Sequence, residues 1–298
     1  MKSKIENVFQ LLKKTYQAYS EDKVPRLGAA LAYYAVFSLA PLLLIAVAVA
    51  GFVFGPEAAR GEIVAQFDSL LGENGARLVE TMIEQAYQPT NGILASVLGI
   101  ASLVLGATGV FNQLQGAMNV IWDTPAKETG GILNTIKDRL LSMTMVVATG
   151  FLLLTSLVVS AGVSALSRYL TAWIGPGAAT FIGAANFIIS LLITTALFAL
   201  MFKYLPDTDV EWDDVWIGGA ITALLFSVGK LLIGLYLGNA SVGSTYGAAG
   251  SLAIILVWVY YSAQIFFLGA EFTYVYANEA GSHKKEPQSE VGRQPREV

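Results

Sequence analysis

Cysteine is absent from the 298 residues and histidine occurs once, as His283. Disulfides, thiolate metal sites and cysteine nucleophiles are therefore closed to this chain, and a lone imidazole in a polar tail supplies neither a zinc set nor a Ser-His pair. Charge is scarce too: 13% of residues are charged and 55% hydrophobic, where an ordinary soluble domain is about a quarter charged. Eighteen Lys and Arg with 22 Asp and Glu are too few to coat a soluble protein of this length. A mean hydropathy of +0.59 points to lipid as the main solvent. The net charge of −4 argues against a nucleic-acid binder, which carries a basic face or stripe. No Walker loop occurs, so ATP hydrolysis is not the energy source.

What the chain does contain is long apolar runs. A bilayer core needs about 20 predominantly apolar residues per helix, and six stretches qualify: approximately 28–54, 92–111, 140–166, 178–202, 215–237 and 250–277. They do not alternate as membrane β-strands would. The expected fold is all-α: a polytopic membrane protein with six transmembrane helices over 28–277, an N-terminal segment 1–27, and a tail 278–298 whose prolines and mixed charges predict disorder. Fourteen of the eighteen basic residues fall on one side of these spans and three on the other, with Lys230 inside a span. The excess of Lys and Arg marks the cytoplasmic side, so both termini are expected there.

In the N-terminal segment Ile5, Val8, Phe9, Leu12, Tyr16 and Tyr19 share one helical face. That pattern fits an uncleaved amphipathic helix lying on the membrane surface, its lysines against anionic headgroups; it also fits a solvent helix packed on the cytoplasmic loops. The first external loop, 55–91, holds two helical apolar stripes broken by Gly72 to Gly75. They predict a helical hairpin that caps the bundle or acts as a lid over a ligand.

Polar groups at membrane depth are the candidate site. Gly92, Ala95, Gly99, Ser102, Gly106 and Gly109 form a small-residue face on the second span, which allows close helix approach. It turns polar at Asn112, Gln113, Gln115 and Asn119, which face either a cavity or the interfacial water. Pro41 interrupts the first span and predicts a kink or local unwinding, serving as hinge or merely as packing. On the sixth span Tyr260, Tyr261, Gln264 and Glu271 make a polar stripe. By the helical rise Glu271 lies roughly 9 Å, and Gln264 roughly 20 Å, from the end of that span. Lys230 lies roughly 22 Å deep in the fifth span, matching Gln264 or the tyrosines, and Arg26 is the expected partner of Glu271. The competing reading is that Lys230 and Glu271 snorkel to opposite interfaces.

The segments Ala29-Ala30-Leu31-Ala32-Tyr33-Tyr34 to Pro41, Asn119-Val120-Ile121-Trp122, Tyr204-Leu205-Pro206 with Gly218-Gly219-Ala220, and Tyr246-Gly247 through Tyr260-Tyr261-Ser262-Ala263-Gln264 to Gly269-Ala270-Glu271-Phe272 together resemble the YihY/BrkB family over about residues 10–278. The resemblance implies a bacterial inner-membrane protein with six helices, linked to serum resistance and to movement of lipids or other amphipathic compounds. The family's old label as a tRNA-processing ribonuclease (ribonuclease BN) finds no support in these residues. A metal-dependent nuclease needs clustered ligands in water, and the acidic loop Asp207, Asp209, Glu211, Asp213 and Asp214 would repel RNA phosphates. Its plainer use is to cap the fifth span through Asp209 or Asp213.

The expected function is a transporter-like protein, not an enzyme and without a cofactor or metal. It would handle a lipid or another amphipathic substrate through a central cavity bearing Lys230, Gln264, Glu271, Tyr260, Tyr261, Asn112, Gln115, Asn119, Pro41 and Arg26. Membrane lipids are its expected partners and nucleic acid is not. The competing class is a structural or scaffolding membrane protein of the envelope whose polar residues only specify helix packing.

Overall fold

A computed structural model describes residues 2–86, 109–124, 177–239 and 250–282. All the regular structure among them is helical: α1 (Lys2–Glu21), α2 (Val24–Phe54), α3 (Pro56–Ala86), α4 (109–121), α5 (Gly177–Tyr204), α6 (Trp212–Asn239) and α7 (Gly250–Glu279). Among the described residues three stretches are long and apolar enough to cross a membrane, Gly183–Tyr204, Trp212–Tyr236 and Gly250–Glu279, and Val24–Leu39 is a shorter apolar helix. The first three match the fourth, fifth and sixth expected spans. The third expected span, most of the second with its small-residue face up to Gly106, and the tail from His283 lie outside the described residues.

α1 and α2 are joined by a tight turn. Lys23 takes the left-handed conformation (φ 53°, ψ 42°), and Pro25 follows within the first turn of α2, where its missing N–H costs nothing. α2 stays helical across Pro41 as far as Phe54. α3 is two helical arms, because Gly72 (φ 72°, ψ 178°) interrupts it with a conformation that favours glycine. Arg60 on the first arm pairs with Glu84 and, at 3.4 Å, with Glu80 on the second, which folds the arms into the expected hairpin. Its apolar residues Leu71, Val79 and Ile83 pack with Leu43 and Val47 of α2, Ile233 of α6, and Ile254 and Ile255 of α7. The hairpin therefore covers the end of the bundle where α7 begins.

Close backbone approach sets the rest. Gly218 and Gly219 stand side by side on α6 and serve two neighbours. A methyl built on Gly219 falls 2.8 Å from the Thr195 carbonyl of α5, and one on Gly218 falls 2.8 Å from the Thr273 Cβ of α7. The α6–α7 contact is reciprocal, since a methyl on Gly269 of α7 falls 2.8 Å from the Thr222 Cβ of α6. Thr222 and Thr273 are fully buried, and each hydroxyl donates at 2.7 Å to the carbonyl of the glycine four residues before it, Gly218 and Gly269. Each threonine thus fills the notch left by the other helix's glycine while its own polar group is satisfied within the helix. Around this contact Phe198 and Phe202 of α5, Phe266 and Phe267 of α7, Phe111, Met118 and Ile121 of α4, and Val24 and Leu31 of α2 form the main core.

Candidate functional site

The acids and amides divide into those that tie the frame together and those left over inside it. Asn119 donates to the Asp207 carboxylate at 2.8 Å and accepts the Asp207 N–H at 2.8 Å, and Gln115 donates to the same carboxylate at 3.3 Å. These two candidates clasp α4 to the α5–α6 connection. In that connection Lys203 reaches Asp209 at 3.3 Å and the Val210 carbonyl at 2.6 Å. Asp213 and Asp214 occupy the first turn of α6, where the helix dipole favours anions. Asp214, nearly fully buried, accepts the Ser282 hydroxyl at 2.5 Å and the Ser282 N–H at 3.3 Å, fastening the end of α7 to the start of α6.

Glu271 is treated differently. It has no exposed surface, and among the described residues no N–H or hydroxyl donor meets either carboxylate oxygen, leaving only the Asp22 carboxyl within hydrogen-bond reach. It sits two residues beyond Gly269, where α6 and α7 are in closest contact. The group that adjoins it is another acid, Asp22, supplied by the α1–α2 turn, and Asp123 and Glu21 also act on it. Burial pushes the Asp22 carboxyl above its ordinary value. The approach of Glu271 works against that push, and the charges of Asp123 and Glu21 reinforce it. Two adjacent carboxyls of which one is dry are a like-charge pair, the arrangement in which both resist ionising together.

The surroundings are aromatic and incompletely satisfied. α4 ends at a left-handed residue, Asp123 (φ 48°), with the Thr124 N–H closing onto the Asn119 carbonyl at 2.9 Å as in a Schellman cap. That turn delivers the Asp123 carboxylate to the Tyr274 hydroxyl of α7, which donates to it at 2.7 Å. The Trp122 ring packs edge-on against Tyr274, with centroids 5.6 Å apart. Trp122 is 8% exposed, yet among the described residues its indole N–H meets no acceptor and the Thr124 hydroxyl no partner.

Nearer the middle of α7, Tyr19 of α1 donates its hydroxyl to Gln264 Oε1. Burial beside Tyr260 and Tyr16 holds that phenol above its ordinary value, so it stays a donor. The amide nitrogen of Gln264 is buried without an acceptor. Gly28 of α2 makes room for it, since any side chain there would meet the amide. A larger residue at position 28 would thus have to displace the amide end of Gln264.

Of the other candidates, Tyr261 lies against Gly229 of α6, where a methyl would come 3.2 Å from its hydroxyl. Tyr261 thus stands at the level of Gly229, the residue before Lys230. The Lys230 side chain is exposed, as are its neighbours Leu231 and Leu232, whereas Gln264 is engaged by Tyr19. Arg26 and Asn112 are exposed, and Tyr260 is partly exposed at the level of Tyr19. The structure therefore gathers Glu271, Gln264 and Tyr260 around the α1–α2 turn and the end of α4, and adds Tyr19, Asp22, Trp122, Asp123 and Tyr274. Asp22 carried one signal in the sequence, an acid in a segment otherwise rich in lysine. Among the described residues no three carboxylates converge closely enough to hold a metal ion.

Comparison with known proteins finds similar sequences among membrane proteins. The profile of the virulence factor BrkB family matches residues 15–293. A UPF0761 membrane protein of Ralstonia nicotianae is 27% identical over 255 residues, covering 84% of this chain and 55% of its own length. One of Rhodospirillum centenum is 30% identical over 251 residues, covering 83% and 53%, and one of Delftia acidovorans is 28% identical over 262 residues, covering 86% and 60%. The chain thus spans a little over half the length of these relatives. No solved structure matches it. By its sequence profile and its apolar helices, the chain belongs to the virulence factor BrkB family of membrane proteins.

Proposed function

We propose that this protein is a six-span transporter-like protein of the bacterial inner membrane, with both termini cytoplasmic, that moves a lipid or another amphipathic compound. The site is the polar junction of α1, α2, α4 and α7, and Glu271 is the group on which it turns. One observation carries the reading. Asp207 is met by the Asn119 amide and Asp214 by the Ser282 hydroxyl, while Glu271 is buried with no such donor among the described residues and only another acid, Asp22, beside it. An ionisable group at membrane depth is costly to keep, and one with neither a cation nor a neutral donor beside it has a use other than packing.

In this reading Glu271 carries a coupling proton and exchanges it through Asp22 toward the exposed carboxylates Glu21 and Asp123. The orphan donors of Gln264 and Trp122 receive the polar end of the substrate. No step calls for a nucleophile or a cofactor.

Reconstitution tests this. The full chain in proteoliposomes is compared with empty vesicles for movement of fluorescent phospholipids, with and without a pH gradient, alongside a folded Glu271→Gln variant. Gradient-dependent movement above the empty vesicles that the variant loses supports the reading. Equal movement in protein and empty vesicles removes the transport function. A variant that moves lipid as the parent does removes the role of Glu271.

A further inference from the structure

Most of the apolar face of α1 is turned away from the protein, with only Tyr19 at its edge packed on the core. At 100° per residue its side chains fall into three sectors. Leu11, Thr15 and Ala18 face inward, with Thr15 buried and Leu11 and Ala18 half-buried, and the helix packs on α7 and α2. Lys14 on the edge of that sector pairs with Glu279 of α7 at 2.5 Å. Glu6, Gln10, Gln17 and Glu21 make a polar sector, all exposed. The third sector holds Val8, Phe9, Leu12 and Tyr16, which are 56–70% exposed. Lys13 lies on the border between the apolar and polar sectors, and Lys23 and Arg26 are exposed where α1 turns into α2.

Four large apolar side chains on one sector of a helix already held in place by its other faces make a built surface. Burying such side chains away from water is favourable, so water is a poor occupant. The geometry points to an anionic bilayer surface as the partner of this sector. Three features select it over a protein partner. α1 runs through a two-residue turn into α2, whose apolar stretch begins at Val24, so the helix is held at the level where the chain enters the membrane. The apolar sector ends in Tyr16, an aromatic ring with a polar tip of the kind that sits at headgroup level. The exposed cations Lys13, Lys23 and Arg26 stand at the rim, where they meet anionic headgroups, while the acids Glu6 and Glu21 lie in the sector turned away. Because Tyr19, on the side of the apolar sector nearest the core, and Asp22, in the adjoining turn, reach the site, the bilayer surface also holds the helix that closes over Gln264 and Glu271. The inference stands on the faces of α1 and is independent of whether that site transports.

The absence of cysteine makes a direct test possible. Single cysteines at Leu12, Tyr16, Gln10 and Gln17 in the full chain are labelled with an environment-sensitive fluorophore. Each is reconstituted in vesicles of zwitterionic phospholipid with or without phosphatidylglycerol. Labels at 12 and 16 should be quenched by lipid-borne nitroxides and shielded from aqueous iodide, and labels at 10 and 17 the reverse. Phosphatidylglycerol should raise the nitroxide quenching at 12 severalfold, and Lys13→Glu should remove that increment. Equal iodide access at all four positions would overturn the proposal in favour of a solvent helix. Shielding of positions 12 and 16 from both quenchers would overturn it in favour of a protein partner or a second copy. Quenching indifferent to phosphatidylglycerol would overturn the choice of an anionic surface.

Discussion

Substituting Gly269 by alanine probes the contact on which the site rests. The added methyl would sit 2.8 Å from Thr222 Cβ, some 0.6 Å inside the 3.4 Å at which ordinary contact begins. Rotating Thr222 does not relieve this, since its Cβ is fixed by the backbone, so α6 and α7 must part. Overpacking of this kind costs about 1–3 kcal/mol, whereas glycine to alanine inside a helix returns about 1 kcal/mol. Gly234 of α6 supplies the reference, because a methyl there meets nothing within 4 Å and carries the helix gain alone. Gly269→Ala should therefore fall below Gly234→Ala by about 1–3 kcal/mol. Thr222→Gly, which removes the opposing Cβ, should restore much of the loss in the double variant, whereas Thr222→Ala should not. Equilibrium unfolding in one mixed micelle system, read by tryptophan fluorescence, measures all of these. Equal stabilities for Gly269→Ala and Gly234→Ala would show that the helices are not in contact there, and the packing that buries Glu271 would have to be abandoned with it.

Two further outcomes follow from the polar contacts. Asn119→Ala removes a donor to and an acceptor from Asp207, and since the pair is half-exposed the loss should be about 2 kcal/mol; the same micelle assay checks it, and Asn119→Asp, which sets two carboxylates face to face, should do worse. Asp22 has a folded-state value raised above its ordinary 3.8, so its contribution to stability is present below that value and is lost as pH rises through the raised one. Asp22→Asn should therefore gain on the parent in apparent melting temperature as pH increases from about 4 toward neutrality, and a constant difference across that range would refute the raised value.

The helices were legible in the sequence because the signal for them is local. Apolar runs ending near Tyr204, beginning near Trp212 and spanning 250–277 each satisfy the length rule on their own, and α5, α6 and α7 stand where those runs predict. The α3 hairpin was legible for the same reason, with two periodic stripes and a glycine between them. The polar stripe of α7 could be listed by spacing, but its partners could not. Depth alone matched Glu271 with Arg26 and Gln264 with Lys230, whereas rotation of the helices about their axes decides which side chains at one depth meet.

That rotation depends on contacts no single segment contains. Gly218 and Gly269 gain their meaning only from Thr273 and Thr222 on the facing helix, and Gly28 only from Gln264. Tyr19 and Gln264 are 245 residues apart, and Asp22 reaches Glu271 only because a left-handed Lys23 folds α1 back onto α7. The sequence alone determined where the chain is apolar, which segments are helical and that α1 has an apolar face, since each is a sum over neighbouring residues. Only the tertiary structure decided that Leu11, Thr15, Ala18 and Tyr19 of α1 pack on the bundle while Val8, Phe9, Leu12 and Tyr16 are left exposed. It also decided that Glu271 is left beside another acid with no N–H or hydroxyl donor among the described residues, because burial and pairing depend on how the faces of distant helices are turned toward one another.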